Sequence, residues 1–322
     1  QAYIKASNSQ STDEFGYSVA LSGDTLAVGA HQEDRSTTDV NSTPNELAAN
    51  AGAVYVFIRS DNSWSEQAYI KASNTGGLDN FGVSIALSGD TLAVGAHNED
   101  SSTTGIDTIP DDNASASGAV YIFERTDNVW GEQAYIKALN AEAGDNFGIS
   151  VAVSDDTVAV GAHQEDSSTT GVNTIPDENA SASGAVDVFS RNDVTWSQQA
   201  YIKPSNTQRN DVFGYSVALS GDVLAVGAYG EDSGTSGINS IPDETQRTSG
   251  AVYVFSRDDT GWSQQSYIKS SNPERRDRFG WSVALSGDTL SVGAYNEDSS
   301  TTGVNSTPDE FATNSGAVYS FE

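Results

Sequence analysis

The sequence predicts an all-β fold, a five-bladed β-propeller of four-stranded antiparallel blades. Three observations predict it: a 66-residue repeat, four short strand patterns in each repeat, and side-chain size that grades along it. The period is read from Phe15, Phe81, Phe147, Phe213 and Phe279, each followed by Gly, and from Trp64, Trp130, Trp196 and Trp262. Tandem units of this kind bury their faces only against neighbours.

The second repeat shows the elements in order. Phe81 to Ser88 alternates large and small side chains, the period of two of a strand with unequal faces. Ser88-Gly-Asp-Thr91 is hairpin-turn chemistry, and Leu92 to Ala96 follows as the second strand. Gly118 to Phe123 is the third, and Trp130 to Ala138 the fourth. No helical period occurs. Small residues fill the first two strands and Tyr, Phe, Trp and Ile the last two, as a wedge-shaped blade requires.

Residues 1–7 read as a fourth strand without its first three, and the chain is eight residues short of five full repeats. The expectation is one domain over 1–322, with blades at about 13–72, 79–138, 145–204, 211–270 and 277–322. The strand at 1–7 completes the last blade, which removes two exposed edges.

A net charge of −30 argues against nucleic acid, whose phosphates it would repel, and against anionic membrane surfaces. No apolar run reaches the ~20 residues of a membrane helix, so no membrane insertion is expected. The charge suits cations, basic partners or a salty medium, which fits a marine or salt-tolerant source. With no Cys there is no disulfide or thiol chemistry, and the lack of any Met predicts a processed product or a fragment.

The runs F-G-x-S-[VI]-A, L-A-V-G-A and G-A-V-Y-[VI]-F resemble the FG-GAP repeat of integrin α-subunit propellers. The closest likeness is to the bacterial branch of that family, with its W-S-Q-Q-A-Y-[IL]-K-A strand. The resemblance implies a propeller, an extracellular or cell-surface setting and a part in adhesion. Two features depart from it. Such propellers usually have seven blades, and their D-x-D-x-D-G-x-x-D calcium loops between strands one and two are absent here, so those ligands have no counterpart.

The segment between strands two and three, His31 to Ala51 in the first repeat, gathers the acidic residues. It opens on Glu33-Asp34, Glu99-Asp100, Glu165-Asp166, Glu231-Asp232 and Glu297-Asp298. Asn41, Asp107, Asn173, Asn239 or Asn305 follows, then Asp111, Asp177, Asp243 or Asp309 after a Pro, with Asn45-Glu46 in the first repeat. Such oxygen-rich loops suit a hard cation, and one Ca2+ per blade is an expectation. Plain solvated loops and Asp-capped turns are the competing readings. No organic cofactor is expected.

Asp13, Asp79, Asp145, Asp211 and Asp277, two residues before each Phe-Gly, are expected to cap turns, on the same acidic face as the long loops. His31, His97 and His163 share a repeat position with Tyr229 and Tyr295, a packing or surface slot rather than a catalytic base. No Ser/His/Asp set, phosphate loop or HExxH occurs, so no enzyme is expected. Trp281 and Arg275, Arg276 and Arg278, with Arg209 and Arg247, are the main departures from repeat symmetry. The one Lys per repeat (Lys5, Lys71, Lys137, Lys203, Lys269) is expected on an outer strand as a guard against edge pairing.

The leading functional expectation is an extracellular binding or adhesion module that uses its acidic loop face. The alternatives are a self-assembling structural bead and a lectin-like propeller with Tyr, Trp and His as stacking platforms. The partners are then a protein or glycan ligand at the cell surface, or copies of the chain itself.

Overall fold

The structure is a computed structural model that describes residues 2–43 and 47–322. Gln1, Asn45 and Glu46 lie outside the described residues, and with them one end of the expected first strand and the acidic step of the first loop. The described residues contain no helix, and the fold class is the expected one, a five-bladed β-propeller.

The first sheet runs β1 (Ser18–Ser22), β2 (Thr25–Ala30), β3 (Ala53–Ser60), β4 (Ser63–Ile70), each antiparallel to the next. The second repeat supplies β5 (Ser84–Ser88), β6 (Thr91–Ala96), β7 (Gly105–Ile106), β8 (Ala119–Thr126) and β9 (Val129–Lys137). Its order is β5-β6-β8-β9-β7, so the two-residue β7, from the long loop, flanks the fourth strand on its outer side. The third repeat carries β10 (Phe147–Ser154), β11 (Thr157–Ala162), β12 (Gly171–Val172), β13 (Ala185–Asn192) and β14 (Thr195–Lys203).

The fourth sheet is β15 (Ser216–Ser220), β16 (Val223–Ala228), β18 (Ala251–Asp258), β19 (Gly261–Lys269) and β17 (Gly237–Ile238), in that order. The fifth holds three strands, β20 (Phe279–Ser286), β21 (Thr289–Ala294) and β22 (Ala317–Phe321). Residues 2–7, the sequence of a fourth strand, form no strand within this chain. The chain divides into two compact units, Gln1–Val160 with Phe189–Ser197, and Gly161–Val188 with Gln198–Glu322. The third repeat is shared between them.

Local chemistry explains the hairpins. The β1–β2 type of turn places Gly23, Gly89, Gly221 and Gly287 at φ of 56–57°, and Asp155 takes the same place at 50°. Each repeat then packs an aromatic cluster; Phe81 meets Tyr121 and Phe123 edge-on at 5.3 and 6.1 Å. Within the first unit, neighbouring repeats are stitched by backbone. Ser84 Oγ donates to the Gly148 carbonyl at 2.7 Å, and Gly118 bridges Phe147 in parallel. A Cβ on Gly118 would lie 2.0 Å from the Phe147 oxygen, so only glycine permits that approach.

Candidate binding face

Antiparallel strands carry the β2–β3 type of loop and the entry to β1 at one end of each sheet. The structure gives the recurrent polar positions of these loops separate tasks.

The leading glutamate turns inward. Glu99 is buried; its Oε2 accepts from Lys137 Nζ at 2.8 Å and its Oε1 from the Tyr135 hydroxyl at 2.9 Å. Glu165 with Lys203 and Tyr201, and Glu231 with Lys269 and Tyr267, repeat the arrangement. Glu33 joins Lys71 and Tyr69 and adds Arg35 at 2.6 Å. Lys71, Lys137, Lys203 and Lys269 are therefore not edge guards, whereas Lys5 is exposed. The four side chains are wholly buried, with Nζ also bonded to Ser117, Ser183 or Ser249 in three repeats. Burial holds their pKa below the usual range, and the adjacent carboxylate partly offsets it. The clue in the sequence was that Lys follows Glu by 38 residues in every pair.

The second acid anchors the end of the loop. Asp34, Asp100, Asp166, Asp232 and Asp298 each accept from the backbone N–H of Asn50, Ala116, Ala182, Thr248 or Asn314, all at positive φ. The third position clamps the fourth strand: Asn41, Asp107, Asn173 and Asn239 accept from the N–H of Tyr69, Tyr135, Tyr201 and Tyr267. Asp111, Asp177, Asp243 and Asp309 accept from the backbone of Ser102, Ser168, Gly234 and Ser300. Hydrogen bonds hold these carboxyls below the usual range, from the Ser102 side chain first at Asp111 and from the backbone first at the other three. Among the described residues no group of three or more His, Cys, Asp or Glu side chains is placed to hold a metal ion.

The aspartates before Phe-Gly do cap turns. Asp13, Asp79, Asp145, Asp211 and Asp277 each accept from the N–H three residues back. Burial, reinforced by acidic neighbours, raises Asp79 to about 7 and Asp211 to about 8.

The histidines sit where a packing slot was expected. His31 lies 4.1 Å from the Tyr17 ring, and burial pulls His97 down to about 4. In the second unit the same positions form a row of rings: His163–Tyr215, Tyr215–Tyr229, Tyr229–Trp281 and Trp281–Tyr295, with centroids 4.7–5.5 Å apart. The Arg278 guanidinium stands 5.7 Å over Tyr229 and 5.3 Å over Trp281. Sequence reasoning singled out Trp281 and Arg278 but not this row. It also missed Ile109, Ile175 and Ile241, which stand 85–89% exposed beside the loop prolines.

Among the described residues no helix is long and apolar enough to cross a membrane. No curated protein matches the chain. A profile of the FG-GAP repeat matches residues 1–57, 64–123, 130–189, 196–255 and 262–321. Five tandem matches tile almost the whole length, and the chain belongs to the FG-GAP repeat family, whose propellers serve as binding modules.

Proposed function

We propose that this chain is an extracellular or cell-surface adhesion module that engages a protein ligand through its long loops. The exposed isoleucines carry this reading. Three repeats present Ile109, Ile175 and Ile241 to water, each followed by Pro and an acidic residue. An apolar contact repeated inside a polar loop is the pattern of an interface rather than of a solvated surface. The acidic surroundings favour a ligand with basic groups.

The aromatic row favours a second reading, a glycan that stacks on the rings beside Arg278. One experiment separates the two. The chain is assayed against immobilised extracellular-matrix proteins and against a glycan array, with and without calcium. Calcium is a variable because the loops hold the acidic side chains such an ion would use. Under the leading reading, I109D/I175D/I241D lowers capture by a matrix protein at least tenfold. Under the second, Trp281→Ala abolishes an array signal. Capture untouched by either change, or no binding on either surface, removes the proposal.

A further inference from the structure

In a chain with 45 acidic and 15 basic residues, an arginine without a carboxylate partner is the exception. Arg35, Arg59, Arg125, Arg191 and Arg257 each meet a carboxylate at 2.6 Å. Among the described residues, Arg209, Arg247, Arg275, Arg276 and Arg278 meet none. All five belong to the second compact unit.

Backbone bonds draw them together. The Arg276 N–H donates to the Arg247 carbonyl at 3.0 Å and the Arg278 N–H to the Thr248 carbonyl at 3.2 Å. The end of the fourth long loop and the entry to β20 therefore lie side by side. The equivalent entry to β15 carries Arg209 and runs beside Tyr229, where the Gly230 N–H donates to the Asp211 carbonyl at 3.2 Å. Arg209, Arg247, Arg275 and Arg276 are exposed. The acids nearest in sequence are occupied elsewhere: Asp277 is 2% exposed and caps the Glu274 N–H at 2.8 Å, and Asp232 accepts from the Thr248 N–H at 2.6 Å.

Arg278 joins this patch to the row of rings. Tyr215, Tyr229 and Trp281 touch one another, with centroids 4.7–4.9 Å apart, and all three are half-buried. The Arg278 guanidinium lies over Tyr229 and Trp281, and its Nε has no hydrogen-bond partner. Two other repeats put Asn80 and Asn146 in this place, where the amide is spent on the carbonyl of His31 or His97. Arg276 and Arg278 also stand at φ of 75 and 57°, a region that Asn enters more readily than Arg. In the second repeat the ring positions hold Val83 and His97, which make no such cluster. Rings and unpaired arginines are thus departures from the repeat that occur together.

We infer that this part of the second unit binds a saccharide chain bearing carboxylate or sulfate groups. The apolar C–H face of a sugar ring packs flat on Tyr215, Tyr229 and Trp281. A planar guanidinium matches the paired oxygens of either anion and gives them two parallel N–H donors. Arg278, already laid over the rings, orients a sugar whose anionic group lies beside its stacked face, and Arg275 and Arg276 take the next charges along the chain. A nucleic acid also joins rings to charge, but its closely spaced phosphates meet a net charge of −30. A saccharide with one anionic group per sugar or fewer needs only the local patch. This inference rests on the glycan reading given above, and adds to it the charge of the sugar and the residues that recognise it.

The test is calorimetric titration of the full chain, in EDTA and 0.05 M sodium chloride, with four probes. These are a hexagalacturonate, a sulfated carrageenan hexasaccharide, neutral neoagarohexaose and hexathymidylate. One or both of the acidic sugars should bind, and which of them does separates carboxylate from sulfate; neoagarohexaose should bind at least tenfold more weakly. Arg278→Gln, Trp281→Ala and the double variant Arg275→Gln/Arg276→Gln should each weaken the acidic sugar at least tenfold, as should raising the salt to 0.5 M. The double variant changes exposed side chains that hold nothing in the fold, so it decides the matter even if Trp281→Ala unfolds. Neoagarohexaose bound as tightly as the acidic sugars, and lost with Trp281→Ala but not with the arginine variants, leaves the glycan reading standing and overturns this one. No sugar bound at all overturns both. Tighter binding of hexathymidylate, or sugar binding that appears only when calcium replaces EDTA, assigns the site to nucleic acid or to the acidic loops and overturns the proposal as well.

Discussion

Asp79 and Asp211 show what a buried cap costs. Each carboxylate is needed as an acceptor for a turn N–H, at 2.7 and 2.8 Å, yet each sits among other acids with little access to water. Burial first, and then the neighbouring Glu99 and Asp100 or Glu231, raise the two groups to about 7 and about 8. A carboxyl raised in the folded state holds its proton there after the unfolded chain has lost it. Its contribution is therefore greatest below the unfolded value near 4 and is lost as pH rises towards 7–8. Asn keeps the acceptor oxygen and never ionises. Asp79→Asn and Asp211→Asn should each stabilise by about 1–3 kcal/mol at pH 8 and by almost nothing at pH 4, as urea unfolding at the two pH values will show. Asp187 is another buried acid, though not a cap: its Oδ1 accepts from Gln198 Nε2 at 2.6 Å, and it is 1% exposed where Tyr55, Tyr121 and Tyr253 are fully buried. Asp187→Tyr should restore the buried ring and raise stability by about 1–2 kcal/mol, measured as a shift in the urea midpoint.

At the scale of the strand, the Glu–Lys–Tyr cluster ties the long loop to the fourth strand of its own blade. Taking away one partner strands the other in the interior, a loss of about 3–5 kcal/mol. Lys137→Met should show that loss in urea unfolding, and adding Glu99→Gln should recover much of it, because the double change leaves no buried charge. This cluster also marks where the sequence stopped being legible. Strands and hairpins were readable because alternation and Gly-Asp turns are local signals, and the Asp79 cap was readable because its partner is three residues away. The lysine was misread as an edge guard because its partner lies 38 residues back, across a loop whose path no periodicity describes. The two-residue strands β7, β12 and β17 are too short to alternate. The loop carboxylates looked like one ligand set, but which N–H each would face depends on the folded loop. The row from Tyr215 to Tyr295 needs the start of one repeat to meet the loop entry of the repeat before it, a contact invisible within a single repeat.

Over the whole molecule the charge of −30 opposes compaction. The interior pairs Lys71–Glu33, Lys137–Glu99, Lys203–Glu165 and Lys269–Glu231 are shielded from solvent and respond little to salt. The loop acids Asp111, Asp112, Asp243 and Asp309 stand in water on the surface, where like-charge repulsion is screened over about 8 Å at 0.15 M salt and about 3 Å at 1 M. Added salt should therefore remove the repulsion and leave the attraction. Thermal unfolding in sodium chloride should show Tm rising by several degrees from 0.05 to 1 M, with most of the rise below about 0.3 M, where the screening length changes most. Sucrose at matched osmolality controls for general exclusion effects. A Tm that falls with salt would show that the exposed ion pairs, such as Arg59–Asp24 and Arg257–Asp222, contribute more to the fold than the surplus of acids takes away.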